Sequence, residues 1–212
     1  SSGEAMTGEN DHGSRTPEGA ELDFSSRMSY GDYLKLGQIL SAQKTLTTAH
    51  DEMLFIIQHQ TSELWMRLAI HELSAAREAL TRDELAPAMK MLARVSRIFE
   101  QLNGAWDVLR TMTPADYTHF RTQLGQSSGF QSWQYRQIEY MLGNRNHVML
   151  KPHAHDPAVS ALLEDELAQP SFYDVVLRLA DRHGVAMPPE VLTRDVRETH
   201  RMNDGVMAAW KI

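Results

Sequence analysis

The stretch from Asp51 to Leu80 contains neither glycine nor proline, and that run constrains the fold more than any other feature of the chain. It opens on Asp51 and Glu52, acidic residues that suit the positive end of a helix dipole. Placed on a wheel at about 100° per residue, its apolar positions fall into two stripes. Met53, Leu54, Ile57, Leu64, Trp65 and Leu68 make a broad one. Phe55, His59, Met66 and Ile70 make a second on a different side. A surface helix buries one stripe. Two stripes predict a long helix sandwiched inside an all-helical protein.

The remaining segments read the same way. Tyr30, Tyr33, Leu34, Leu36, Ile39 and Leu40 suit a short helix with an aromatic face. A second long helix is predicted from Glu84 to Met112, with Leu85, Met89, Leu92, Val95, Phe99 and Leu102 at helical spacing. Thr113-Pro114 reads as N-cap plus first helical residue and opens a short helix to Leu124. GQSSGF (125–130) is a loop by composition. Helix resumes from Gln134 to Leu142, with Gly143 as its C-cap. After an irregular stretch, helices are predicted over 158–168 and 171–183, the latter closed by Gly184. Nothing alternates at period two. The expected class is therefore all-α, bundle-like with long central helices. Residues 1–28 are expected to form a disordered tail, because up to Glu21 their only large apolar residue is Met6. Residues 29–212 are expected to form a single helical domain.

Composition removes several function classes. A formal net charge of −7 argues against a general nucleic-acid binder. The absence of cysteine excludes disulfides, thiolate metal sites and cysteine nucleophiles, and fits a reducing cytoplasm. No apolar run reaches the roughly 20 residues of a membrane helix, and the first residues lack the architecture of an export signal. The expectation is a cytoplasmic protein with neither membrane nor nucleic-acid partners.

Three readings stand open for His59: a hydrogen-bonded core histidine, an imidazole lining an apolar ligand cavity, or a metal ligand paired with Glu63 one turn on. The last lacks the Glu-x-x-His pairs of helical di-iron sites. Tyr117 and Arg121, one turn apart with Phe120 and Leu124 nearby, are either a snorkelling surface pair or a fork for a ligand carboxylate. Ser127-Ser128-Gly129-Phe130 permits close backbone approach to a ligand. His153 and His155, on a loop with no third ligand, are given no function.

These features occur together in one family. YGDYLKL (30–36), HDEMLFIIQHQTSELWMRLAIHEL (50–73), TPADYTHFRTQLGQSSGFQSWQYRQIEYMLGN (113–144) and PSFYDVVLRLADRHG (170–184) resemble, in order, segments of bacterial-type tryptophan 2,3-dioxygenases. The resemblance implies an all-α enzyme that binds haem b and its iron, assembles as a homotetramer, and adds both atoms of O2 across the indole C2–C3 bond of L-tryptophan to give N-formylkynurenine. Within FIIQHQ, His59 corresponds to the catalytic distal histidine that contacts the indole N–H, and Phe55 lines the same pocket. Tyr117 and Arg121 match YxxFR, whose arginine holds the substrate carboxylate. Trp106, Ser128, Gly129 and Phe130 correspond to residues beside the cofactor. Tyr30, Tyr33 and Leu34 correspond to substrate-pocket residues that reach into the neighbouring subunit.

The resemblance also implies a departure. The family's proximal iron-ligating histidine is expected downstream of Ile212, so no metal ligand is assigned here, and a C-terminally truncated chain is expected. Alternatives are a non-catalytic helical fragment that binds haem or an amino acid, and an enzyme like indoleamine 2,3-dioxygenase with broader specificity. The latter's distal site lacks the histidine of FIIQHQ.

Overall fold

The computed structural model describes residues 19–210. Most of the expected tail, residues 1–18, lies outside the described residues. Those that are described are helical, with no strand among them, as the missing period-two pattern predicts. They divide into two compact units at Lys44 and Thr45.

The first unit carries α1 (Tyr30–Leu34) and α2 (Leu36–Ile39). Ser29 opens α1 with a capping box completed by Asp32, satisfying end donors that the helix itself leaves free. The single helix expected over 30–40 is broken at Lys35, which takes a left-handed conformation with φ 55°. Tyr30 and Tyr33 are 75% and 73% exposed.

In the second unit the Gly/Pro-free run forms α3 (Glu52–Thr81), and α4 (Leu85–Leu109) folds back along it. Alanines make the close approach possible: Ala69, Ala76 and Ala79 on α3 and Ala88 on α4 are almost fully buried. Asp83 sits in the turn between the helices with φ 58°, a conformation that aspartate tolerates better than most residues. Arg182 and His183 both bond its carboxylate, which holds the turn against the end of the helix Phe172–Arg182.

Next come α5 (Pro114–Arg121), 3₁₀ turns at Thr122–Leu124 and Gly129–Gln131, and α6 (Trp133–Leu142). Thr113 and Asp116 form the capping box of α5, and Gly143 ends α6 in a left-handed turn with φ 111°. A 3₁₀ stretch at His147–His153 leads to α7 (Pro157–Leu167) and α8 (Phe172–Arg182), the latter capped by Ser171 and Asp174. Two short helices, α9 (Pro189–Leu192) and α10 (Asp204–Ala209), complete the described chain.

The main core lies where α3, α4, α6 and α8 meet, around Leu73, Val95, Ile98, Ile138, Met141 and Val175. Two buried arginines fasten its edge. Arg77 forms a bidentate pair with Glu166 at 2.6 and 3.3 Å. Arg145, 1% exposed, donates to the carbonyls of Tyr140, Leu167, Gln169 and Val196. A buried guanidinium with five donors can tie together segments far apart in sequence.

The predicted sandwich around α3 holds on one side only. The second stripe runs into the core line of Met66, Ala69 and Leu73. In the broad stripe, Met53, Ile57, Leu64, Trp65 and Leu68 remain 36–54% exposed among the described residues. Periodicity found the apolar face but not what covers it.

Candidate active site

The site is built on the first half of α3. Its N-terminus is fixed by Glu52, 1% exposed, which accepts bonds from the amides of Leu46 and Thr47 and from the Thr47 hydroxyl at 2.7–2.8 Å. These bonds, led by the one from Leu46, hold the Glu52 carboxyl below its ordinary pKa, because each favours the ionised form. They also bind the chain before the helix to its first turn, so the next residues project from a fixed end.

One turn further, the rings of Phe55 and His59 meet with centroids 4.3 Å apart and planes tilted by 38°. The Nδ1 of His59 lies 2.7 Å from the carbonyl oxygen of Phe55. A carbonyl only accepts, so Nδ1 must carry the hydrogen. In the neutral ring that leaves Nε2 as an acceptor. Of the three readings open in the sequence, the metal pairing with Glu63 is the one this arrangement disfavours. The Glu63 carboxylate and backbone carbonyl both receive the amide of Gln134 from α6, at 2.7 and 2.9 Å.

The helix α5 brings the other half of the cluster. Tyr117 lies 5.8 Å from Phe55 between ring centroids, and Phe120 packs edge-on against both, at 5.5 Å from Phe55 and 5.3 Å from Tyr117. Such tilted arrangements match the ring quadrupoles. Arg121, on the next position of the helix, sets its guanidinium 5.9 Å from the Tyr117 ring and donates to the Gly125 carbonyl at 3.3 Å. It is solvent-exposed, pairs with no carboxylate among the described residues, and stays available to an anion. Two segments about 60 residues apart in sequence thus converge as one apolar wall, with an acceptor nitrogen at one end and a guanidinium at the other.

Ser128 caps the 3₁₀ turn that follows, accepting from the Phe130 amide. Phe130 is 58% exposed, and a Cβ placed on Gly129 would meet nothing within 4 Å. Beneath this turn Arg136, 5% exposed, is paired with Glu139 and lies 5.7 Å from the Phe130 ring and 5.6 Å from Tyr135. Its Nε is buried without a partner. Trp106 is 51% exposed on α4. Tyr30, Tyr33 and Leu34 belong to the first unit. Phe120, Gln134 and Arg136 were not singled out as site residues by the sequence reading. Phe120 carried a signal, its i+3 spacing from Tyr117; the other two carried none.

A cavity of about 860 Å³ lies along a different flank of α3, lined by Met53, Leu54 and Ile57, by the polar residues His50, Asp51 and Gln58, and by Ala105 and Val108 of α4. It holds no member of the aromatic cluster. The cluster is the stronger candidate because it joins aromatic rings to an imidazole acceptor and to an arginine with no carboxylate partner among the described residues.

A family model described as tryptophan 2,3-dioxygenase matches residues 15–212. A tryptophan 2,3-dioxygenase of Bradyrhizobium diazoefficiens is 76% identical over 195 residues, covering 92% of this chain and 70% of that relative. The enzymes of that name from Bradyrhizobium sp. strain ORS 278 and Ruegeria sp. strain TM1040 are 63% and 60% identical, each over 91% of this chain and 69% of their own length.

Proposed function

The chain belongs to the tryptophan 2,3-dioxygenase family, and on that premise we propose that it inserts both atoms of O2 across the indole C2–C3 bond of L-tryptophan, giving N-formylkynurenine. The observation that carries the reading is the convergence of Phe55 and His59 with Tyr117 and Arg121 around the buried ring of Phe120.

The amino-acid end of the substrate is assigned to Arg121, whose planar fork matches a carboxylate with two parallel hydrogen bonds. The indole lies against Phe55 and Tyr117. Its N–H donates to Nε2 of His59, the nitrogen that the bond from Nδ1 to Phe55 leaves as acceptor. That contact orients the ring and holds its proton in place while C2 and C3 are presented for attack. The aromatic wall excludes water from the reacting carbons.

Haem b is the cofactor this reading requires, and when bound it supplies the activation of dioxygen. The residues near the 3₁₀ turn suit the face and the carboxylate arms of such a group. A flat macrocycle needs exposed apolar surface, which Phe130 and Trp106 offer, and close backbone approach, which the open space at Gly129 allows. Carboxylate side arms need donors, and the Ser128 hydroxyl and the unpartnered Nε of Arg136 supply them. Among the described residues no group of three or more His, Cys, Asp or Glu can hold a bare metal ion. Haem needs no such cluster, only an axial ligand to its iron, and no residue is assigned that role here.

The reading includes a homotetramer in which Tyr30, Tyr33 and Leu34 reach the neighbouring subunit's pocket. Their support is exposure: aromatic rings at 75% and 73% exposure on a capped helix are apolar surface with a use elsewhere. It also includes a cytoplasmic location, which the absence of cysteine suits; none of the described helices is long and apolar enough to cross a membrane.

The test is isotopic. The haem-loaded protein is given L-tryptophan under ¹⁸O₂, and the product is weighed by mass spectrometry. Two labelled oxygens per product are expected. A product carrying one, or none, refutes the dioxygenase assignment.

A further inference from the structure

We infer that the cavity along the other flank of α3 is a second binding site, for an uncharged, ring-sized apolar molecule that carries one hydrogen-bond donor. A site there does not depend on the tryptophan reading. Gln58 points to it. That side chain is 8% exposed, and its Nε2 donates to the Ser62 hydroxyl one turn on, at 3.2 Å. Its Oε1 is buried and accepts from no group of the protein. A buried carboxamide oxygen without a donor costs free energy comparable to a lost hydrogen bond, and folded proteins keep few such atoms. This one belongs to a residue that lines the cavity of about 860 Å³, and Gln58 is the buried member of that lining.

The other lining residues fix the chemistry of the ligand. Met53, Leu54 and Ile57 of α3 and Ala105 and Val108 of α4 are apolar, which favours a hydrophobic body. No lysine or arginine is among the lining residues, so a carboxylate or phosphate finds neither there. Asp51, beside His50 at the same cavity, adds a negative charge that repels an anion further. What these groups suit is a neutral molecule whose N–H or O–H meets Oε1 of Gln58. The volume falls within the range of pockets that take drug-sized ligands, about 300–1,000 Å³.

One wall is built in advance. Thr47 and Thr48 belong to it, and the buried Glu52 carboxylate holds the amides of Leu46 and Thr47 at 2.7 and 2.8 Å. A ligand entering here need not order that segment, which removes one of the usual costs of binding.

The probes are 2-naphthol and 2-methoxynaphthalene, which share a ring system and of which only the first donates a hydrogen bond. Each is titrated into the full chain and followed by the fluorescence of its naphthalene ring. 2-Naphthol should bind roughly 2- to 13-fold tighter than its methyl ether, the range spanned by one neutral hydrogen bond. Gln58→Leu keeps the bulk and removes the acceptor, so both probes should bind it alike. Gln58→Met keeps the test available if the leucine variant fails to fold. Ala105→Phe should fill the cavity and weaken both probes by roughly tenfold or more. His59→Ala is the control, because it removes the acceptor of the aromatic cluster and should leave the preference intact. A preference that survives Gln58→Leu, or vanishes in His59→Ala, places the probe elsewhere and overturns the inference, as do affinities unchanged in folded Ala105→Phe. A wild type that binds both probes alike, or takes up neither because a second copy of the chain seals this face, overturns it as well.

Discussion

Replacing His59 by alanine separates two roles for the imidazole. If His59 only accepts the indole N–H, the loss is one neutral hydrogen bond, about 0.5–1.5 kcal/mol, or a fall of roughly 2- to 13-fold in kcat/KM. If it must remove that proton outright, the fall is about 10²- to 10⁴-fold. The structure argues that nothing larger is hidden in the substitution. Phe55 loses its contact with the His59 ring at 4.3 Å but keeps Phe120 at 5.5 Å and Tyr117 at 5.8 Å, so the pocket wall stays braced. The backbone carbonyl released at Phe55 still lies within α3, where the helix ladder continues to use it. The indole N–H is a very weak acid, and attack can begin from the electron-rich C2–C3 bond with the proton in place. We expect the smaller effect. Steady-state turnover of the haem-loaded His59→Ala protein should therefore remain measurable. Its relative rate on 1-methyltryptophan, whose methyl group collides with the wild-type imidazole, should rise. A variant that holds haem and tryptophan like wild type yet shows no turnover would refute the positioning role.

Arg121→Leu should raise KM for L-tryptophan by roughly 13- to 160-fold, the equivalent of a charge-assisted bond of about 1.5–3 kcal/mol, and should abolish the preference for tryptophan over tryptamine. Arg121→Lys should restore only part of both, and unchanged kinetics in Arg121→Leu would return the residue to a solvated surface role. Glu52 has a folded-state pKa held below its ordinary value, chiefly by the Leu46 amide, so the stability it lends is present above the ordinary carboxylate range and is lost as pH falls through the folded value. In urea melts across the acid range, Glu52→Gln should therefore be less stable than wild type near neutrality, with the gap closing as pH drops; a gap that widens on acidification contradicts this account.

What the sequence disclosed about the fold follows the range over which each determinant acts. Periodicity and caps are local, and they located α3, the Thr113–Asp116 and Ser171–Asp174 capping boxes and the glycine stops at 143 and 184. The break at Lys35 escaped because lysine carries no turn signal, whereas Gly37 nearby would have been the conventional suspect. Glu52 was legible as a charge at a helix N-terminus. Its main task, receiving the amides of Leu46 and Thr47, depends on how the preceding chain curls back. Arg145 lies in a run that reads as irregular, and its burial becomes reasonable only once carbonyls from two distant segments, Leu167 with Gln169 and Val196, surround it.

The site divides along the same line. Residues one turn apart on a single helix share a face by geometry, so the pairs Phe55–His59 and Tyr117–Arg121 could be drawn from spacing alone. That the two pairs meet is a different kind of fact. It requires α4 to carry the chain back along α3 and α5 to start at the Thr113 cap. Phe120, fully buried, then packs edge-on against both Phe55 and Tyr117, and a wheel drawn for α5 alone shows only that it faces inward, not that it meets Phe55.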